Sequence, residues 1–165
     1  MNKAAVYEAN LAQENAYRQE KFAQGETFQR YITEWFRWQE VTFRNYETRE
    51  EQLTLGENTL GMEIKRDGLF RDTGNLYIEY REKSYSNSVR NAYWTPSGCC
   101  RDDSSWLYLI GDEDTFWIFA RKRLQQLLNK DRYETRTISR GTSQGFLLPL
   151  QDADKECARK VEIAF

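Results

Sequence analysis

The sequence predicts a mixed α/β fold in one domain. Helix-like segments stand at both ends, a run of short strand-like segments lies between them, and no linker or repeat divides the 165 residues. A helical segment over 1–40 followed by a core over 41–165 is the expected layout, with one central mixed sheet flanked by helices. Five Trp, ten Tyr and nine Phe supply the apolar area for a packed core and argue against disorder.

Residues 3–24 lack Pro and Gly and are rich in Ala, Glu, Gln, Lys and Leu, which predicts a first helix. Gly25 is expected to interrupt it, and Thr27 to cap a second helix reaching Trp38 or Gln39. On that second helix Phe28, Tyr31, Ile32, Trp35, Phe36 and Trp38 crowd one broad face, read as core or a subunit contact. Val41 to Phe43 is β-rich, and a polar stretch covers 45–52. Met62 and Ile64 alternate with Glu63 and Lys65 at the period of a strand. Asp72 to Asn75 is a turn, Leu76 to Tyr80 a second strand, and a hairpin-like pairing of 62–67 with 76–81 is expected. A polar loop with Pro96 and Gly98 follows. Trp106 to Ile110 and Phe116 to Phe119 read as a hairpin of buried strands. Residues 121–129 form an amphipathic helix with Leu124, Leu127 and Leu128 inward. Strands near 135–139 and 146–150 and a polar helix from about Ala153 complete the chain.

The chain contains no histidine. That excludes Ser-His-Asp and Cys-His catalysis, His-Glu-x-x-His zinc sites and His-ligated iron or copper. Any general base is then a carboxylate, Lys, Tyr or metal-bound water, and a metal site is mostly oxygen-ligated. Three cysteines, two of them adjacent, have no zinc-site spacing and are expected as reduced thiols. No apolar run reaches the roughly 18 residues of a membrane span, and the first residues lack an apolar signal core, so a cytoplasmic protein is expected.

The strongest chemical signal is Glu63-Ile64-Lys65. On a strand, positions i and i+2 share a face about 7 Å apart, so a carboxylate and an ammonium stand side by side. Such a pair can hold Mg²⁺ with one member and position water or phosphate with the other. Charged residues alternating on a solvent-facing strand give the same pattern. Glu57 and Glu51 lie upstream. Asp67 extends the Glu63–Lys65 face, and Glu79 lies on the next strand.

Residues 56–83, GENTLGMEIKRDGLFRDTGNLYIEYREK, followed by SGCCRDDSSWLYLIGDE at 97–113, resemble small phage and prophage proteins of the PD-(D/E)XK nuclease superfamily. The similarity spans 51 to about 129, and TSQGFLLPL at 142–150 is similar to the family's closing strand. The resemblance implies a restriction-endonuclease-like core and Mg²⁺- or Mn²⁺-dependent hydrolysis of DNA phosphodiesters, with no organic cofactor. In the family, Glu63 and an upstream acid hold the metal, and Lys65 helps position the attacking water. The upstream acid is usually an Asp ten or more residues before the glutamate. This chain offers Glu57 or Glu51 instead, with Glu57 preferred despite its short spacing. Glu34 or Glu40 on the N-terminal helix is a further ligand candidate. Asp67, Asn75 and Glu79 are accessory candidates. Nucleases of this class commonly act as homodimers on DNA.

Net charge is −2, so no global nucleic-acid footprint exists. Residues 121–140 nevertheless hold seven Lys and Arg against two acids. Arg121, Lys122 and Arg123, with Arg66 and Arg71, are the expected DNA-binding rim. A solvated helix face explains the same charges. Two other functions fit the sequence: an inactive nuclease-fold module for binding or assembly, and an unrelated α+β enzyme that uses the acids differently.

Overall fold

The computed structural model describes residues 3–83, 93–138 and 141–163. The first helix, α1, runs unbroken over Lys3–Trp38, straight through Gly25. A glycine inside a helix costs about 1 kcal/mol relative to alanine, too little to end one of this length. Phe28 and Ile32 on α1 are fully buried, with Tyr31, Trp35 and Phe36 packed beside them, whereas Trp38 is 74% exposed.

Val41 to Phe43 does not form a strand; Phe43 instead packs edge-on against Phe36 at 5.6 Å. The polar stretch after it holds helix α2, Arg49–Leu55. Its start is a reciprocal capping box, in which Thr48 Oγ1 accepts the Glu51 N–H and Glu51 Oε2 accepts the Thr48 N–H.

Two four-stranded sheets replace the single central sheet expected from sequence. The first comprises β1 (Met62–Arg66), β4 (Leu107–Gly111), β5 (Thr115–Ala120) and β8 (Arg159–Glu162), in that order. β1 runs parallel to β4, and the other pairs are antiparallel. The second is antiparallel: β3 (Trp94–Pro96), β2 (Asn75–Lys83), β7 (Ser143–Pro149) and β6 (Thr135–Ile138).

The expected pairing of 62–67 with 76–81 is therefore absent. Residues after β1 wind into a short helix, α3 (Phe70–Thr73), closed by Gly74 in the left-handed region. Hairpins need connections of about two to five residues, and this longer, helical one carries the chain into the other sheet. Asp67 stitches the two sheets where they part. Its N–H donates to Gly111 O at 2.8 Å, and its Oδ2 accepts the Tyr77 N–H at 3.0 Å.

The expected hairpin of 106–110 with 116–119 is present as β4 and β5. Helix α4 spans Arg121–Asn129, with Leu124 and Leu127 buried and Leu128 at the margin. Helix α5, Leu150–Glu156, precedes β8, which the sequence reading missed.

In the first sheet β1, β4 and β5 are largely buried on both faces, and the period-2 alternation of the strands decides what each face holds. Met62, Ile64, Leu109, Phe116 and Ile118 pack against α1. Tyr108, Ile110, Trp117 and Phe119 face Leu76, Ile78, Phe146 and Leu148 of the second sheet. Glu63 and Lys65 alternate with Met62 and Ile64, so they lie on the side away from α1.

Candidate active site

β1 delivers Glu63 into the interior. The residue is 0% exposed, and neither carboxylate oxygen makes a hydrogen bond of good geometry. Lys65 Nζ stands 3.0 Å from Glu63 Oε1 as an ion pair, and Arg101 Nη2 lies 3.8 Å from the same oxygen. Arg101 directly follows a 3₁₀ turn at Gly98–Cys100. Gly98 holds φ +51°, and a Cβ there would sit 2.2 Å from Glu79 O, so only glycine lets the turn press onto β2.

Glu57 completes the cluster. It leaves α2 after Gly56 and folds back over the start of β1. Its Oε2 accepts the Ile64 N–H at 2.8 Å and Gln29 Nε2 at 3.0 Å, while Oε1 lies 3.5 Å from Lys65 Nζ. Of the two upstream acids, the structure brings Glu57 to Glu63 and Lys65. Glu51 is occupied by the α2 cap, which holds its carboxyl below the usual range through Thr48.

Burial pushes the Glu63 carboxyl up; the Lys65 charge works against this and the Glu57 charge adds to it. Burial by itself would lower the Lys65 ammonium, but Glu63 and then Glu57 outweigh it and hold Lys65 above its ordinary value, fully charged. Arg101 is likewise raised, burial notwithstanding, by Glu63 and Glu57. Two carboxylates thus face two cations, with Glu63 fully buried and Lys65 and Arg101 partly exposed.

Glu79 lies near enough to act on Lys65 electrostatically, but its own oxygens are taken. Ser97 Oγ donates to Oε1 at 2.6 Å, and Ser143 Oγ donates to Oε2. Asn75 donates to Thr73 O at 2.7 Å and steadies the α3 turn. Glu34 pairs with Arg37 on the surface of α1, and Glu40 is exposed at φ 62°. From α1, Gln29 reaches the cluster through Glu57.

Of the expected DNA-binding rim, Arg121 lies inside and the three other arginines have acidic partners. Arg121 is buried, ion-paired with Asp103, and its guanidinium donates to Cys99 O at 3.0 Å and Ser105 O at 2.8 Å. That guanidinium holds α4 against the 3₁₀ turn instead of facing solvent, because a charge this deep must be paired. Arg66 bonds Glu113, Arg71 bonds Asp112, and Arg123 bonds Glu156. Lys122 is exposed. Arg140, counted in the basic stretch, lies outside the described residues.

Gln29, Arg101 and Tyr108 escaped the sequence reading. Tyr108 is the register partner of Glu63 and reads as one more aromatic in an apolar strand. Arg101 carries no spacing signal. Gln29 could have been noticed as a polar residue flanking the aromatic face of α1. The three thiols are free, with Cys99 buried and its Sγ 3.9 Å from that of Cys100.

Among the described residues no group of three or more acids or thiols is close enough to cage a metal. Mg²⁺ does not need a cage, since it keeps several waters and commonly binds through one or two carboxylates. The donor chemistry here fits such an ion, with Glu63 Oε2 free of a partner among the described residues and Glu63 Oε1 and Glu57 Oε1 both turned to Lys65. No family model, curated protein or solved structure matches the chain. Among the described residues no helix is long and apolar enough to cross a membrane.

Proposed function

We propose that this protein is a metal-dependent deoxyribonuclease whose site is Glu57, Glu63 and Lys65, with Arg101 as a further cation. The observation that carries this reading is the fully buried Glu63 carboxylate, ion-paired through Oε1 with Lys65 at 3.0 Å and set beside a second acid, Glu57. A buried carboxylate is costly unless cations compensate it. Glu57 and Glu63 would hold Mg²⁺ or Mn²⁺, which when bound supplies Lewis acidity and a more acidic water.

The chain's own groups do the rest. The Ile64 N–H and Gln29 fix Glu57 through Oε2 and leave Oε1 directed at the cluster. Lys65, held charged by both acids, is placed to stabilise negative charge developing on a phosphoryl group. Arg101, partly exposed, can contact a neighbouring phosphate oxygen. Removing one such charge typically costs about 10²–10³ in rate.

A second reading, an inactive binding module, draws on one observation: Lys65 and Arg101 already offset both acids without a metal. Cleavage of labelled single-stranded, duplex and four-way-junction DNA in Mg²⁺, Mn²⁺ or EDTA separates the two. The nuclease reading expects metal-dependent cutting that Lys65→Ala and Glu63→Gln abolish. Wild type inert on every substrate in every metal would favour the binding module.

A further inference from the structure

Trp106 is 60% exposed at the entrance to β4, yet its ring is held in place. Its Nε1 donates to Leu60 O at 2.9 Å, and its N–H and carbonyl are both bonded, to Gly61 O at 2.8 Å and from the Arg121 N–H at 2.9 Å. The indole rests against Gly61, where a Cβ would lie 2.6 Å from Cδ1. Gly61 also has φ +70°, so the seat is available only to glycine. An exposed indole whose polar atom is satisfied and whose backbone is pinned loses little freedom on binding a flat partner.

Trp106 lines an open cavity of about 240 Å³ with Tyr46, Leu55, Leu60, Thr59 and Ser104. The aromatic and aliphatic groups offer a stacking surface. Thr59 Oγ1 accepts the Arg44 N–H at 3.0 Å, which leaves its own proton free to donate, and Ser104 is exposed. The same short segment, 57–63, lines this cavity through Thr59 to Gly61 and carries Glu57 and Glu63 at its two ends. Lys65 and Arg101 supply the positive charge of the acid cluster at those ends.

We propose that this cavity binds one unpaired nucleobase of the DNA strand, stacked on Trp106, with a base carbonyl accepting from Thr59 or Ser104. The inference rests on the nuclease reading and sharpens it: the substrate carries an unstacked nucleotide next to the scissile phosphate, as single strands, flaps and junctions do. A fully paired duplex would have to unstack a base first, which costs a few kcal/mol.

The test is binding of fluorescein-labelled decathymidylate and of its abasic counterpart, followed by anisotropy in EDTA, to wild type, Trp106→Ala and Trp106→Phe. Trp106→Ala should weaken decathymidylate binding by about tenfold, the usual scale of one stacked base. Trp106→Phe should keep most of the affinity, and the abasic strand should bind wild type as poorly as decathymidylate binds Trp106→Ala. Equal affinities for wild type and Trp106→Ala, equal affinities for the two strands, or no binding to wild type would each overturn the base site. Failure of the nuclease reading looks different: Trp106-dependent binding in EDTA with no cleavage in any metal.

Discussion

Glu63 on β1 and Tyr108 on β4 are register partners across the parallel pair, both fully buried; the carboxylate is ion-paired with Lys65, whereas the phenol has no hydrogen bond among the described residues. The ladder sets them on the same face of the sheet. Burial raises the Tyr108 phenol well above its ordinary pKa, and the Glu63 charge adds to the rise, so the phenol is neutral. A buried hydroxyl without a partner costs about 1–3 kcal/mol. Tyr108→Phe removes that cost while keeping the ring, so metal-free urea unfolding should show equal stability or a gain of about 1 kcal/mol. A clear loss would show that the hydroxyl has a partner in the folded protein.

The pair of acids at Lys65, Glu57 and Glu63, predicts metal-linked stability that can be read without any substrate. A ligand bound only by the folded state adds about 2.7 kcal/mol at 100 times its Kd. Saturating Mn²⁺ should therefore raise the wild-type Tm by several degrees over EDTA. Glu63→Gln and Glu57→Gln should abolish the rise. An equal rise in both variants would place the ion elsewhere.

Arg121 and Asp103 form an ion pair with almost no exposure. Removing one member of such a pair leaves the other charge buried alone, at about 3–5 kcal/mol. Arg121→Ala should cost that much in chemical unfolding, whereas Lys122→Ala, exposed on the same helix turn, should change stability by less than about 0.5 kcal/mol. Comparable effects of the two substitutions would contradict the buried pin.

Asp112 gives the fold an acid dependence. Burial disfavours its charge, but Arg71 and the N–H groups of Thr115 and Asp114 outweigh burial and hold its carboxyl below the usual value. A depressed folded-state pKa means stabilisation that is full above the unfolded value of about 3.9 and lost as pH falls through the folded one. Asp112→Ala should cost about 1–2 kcal/mol at pH 7, chiefly from the two backbone donors left unpaired. That difference should narrow in unfolding measured below about pH 4. A gap that widens at low pH would reverse the assigned sign.

Local pattern made much of the architecture readable. The alternation Met62-Glu63-Ile64-Lys65 marked β1, the apolar runs around Gly111 marked the β4–β5 hairpin, and the leucine spacing of 121–129 marked α4. The Thr48-x-x-Glu51 capping box was also present as a local signal and passed unread beneath the polarity of its surroundings. The errors arose where one local cue met a larger context. Gly25 looked like a break, but α1 is held by Phe28 and Ile32 in the core, and that packing outweighs one glycine.

By itself, the sequence determined the mixed α/β class, the absence of histidine chemistry, and the pairing of Glu63 with Lys65, because a strand's period of two fixes which neighbours share a face. The tertiary structure decided what the pair meets. Parallel pairing with β4 brought Tyr108 beside Glu63, the chain from α2 swung Glu57 back to Lys65, and the 3₁₀ turn delivered Arg101. These are contacts between distant segments, set by how two sheets and a helix bury their apolar faces together. The same packing put Arg121 inside, where its charge had to find Asp103, and left Trp106 open to solvent at the entrance to β4.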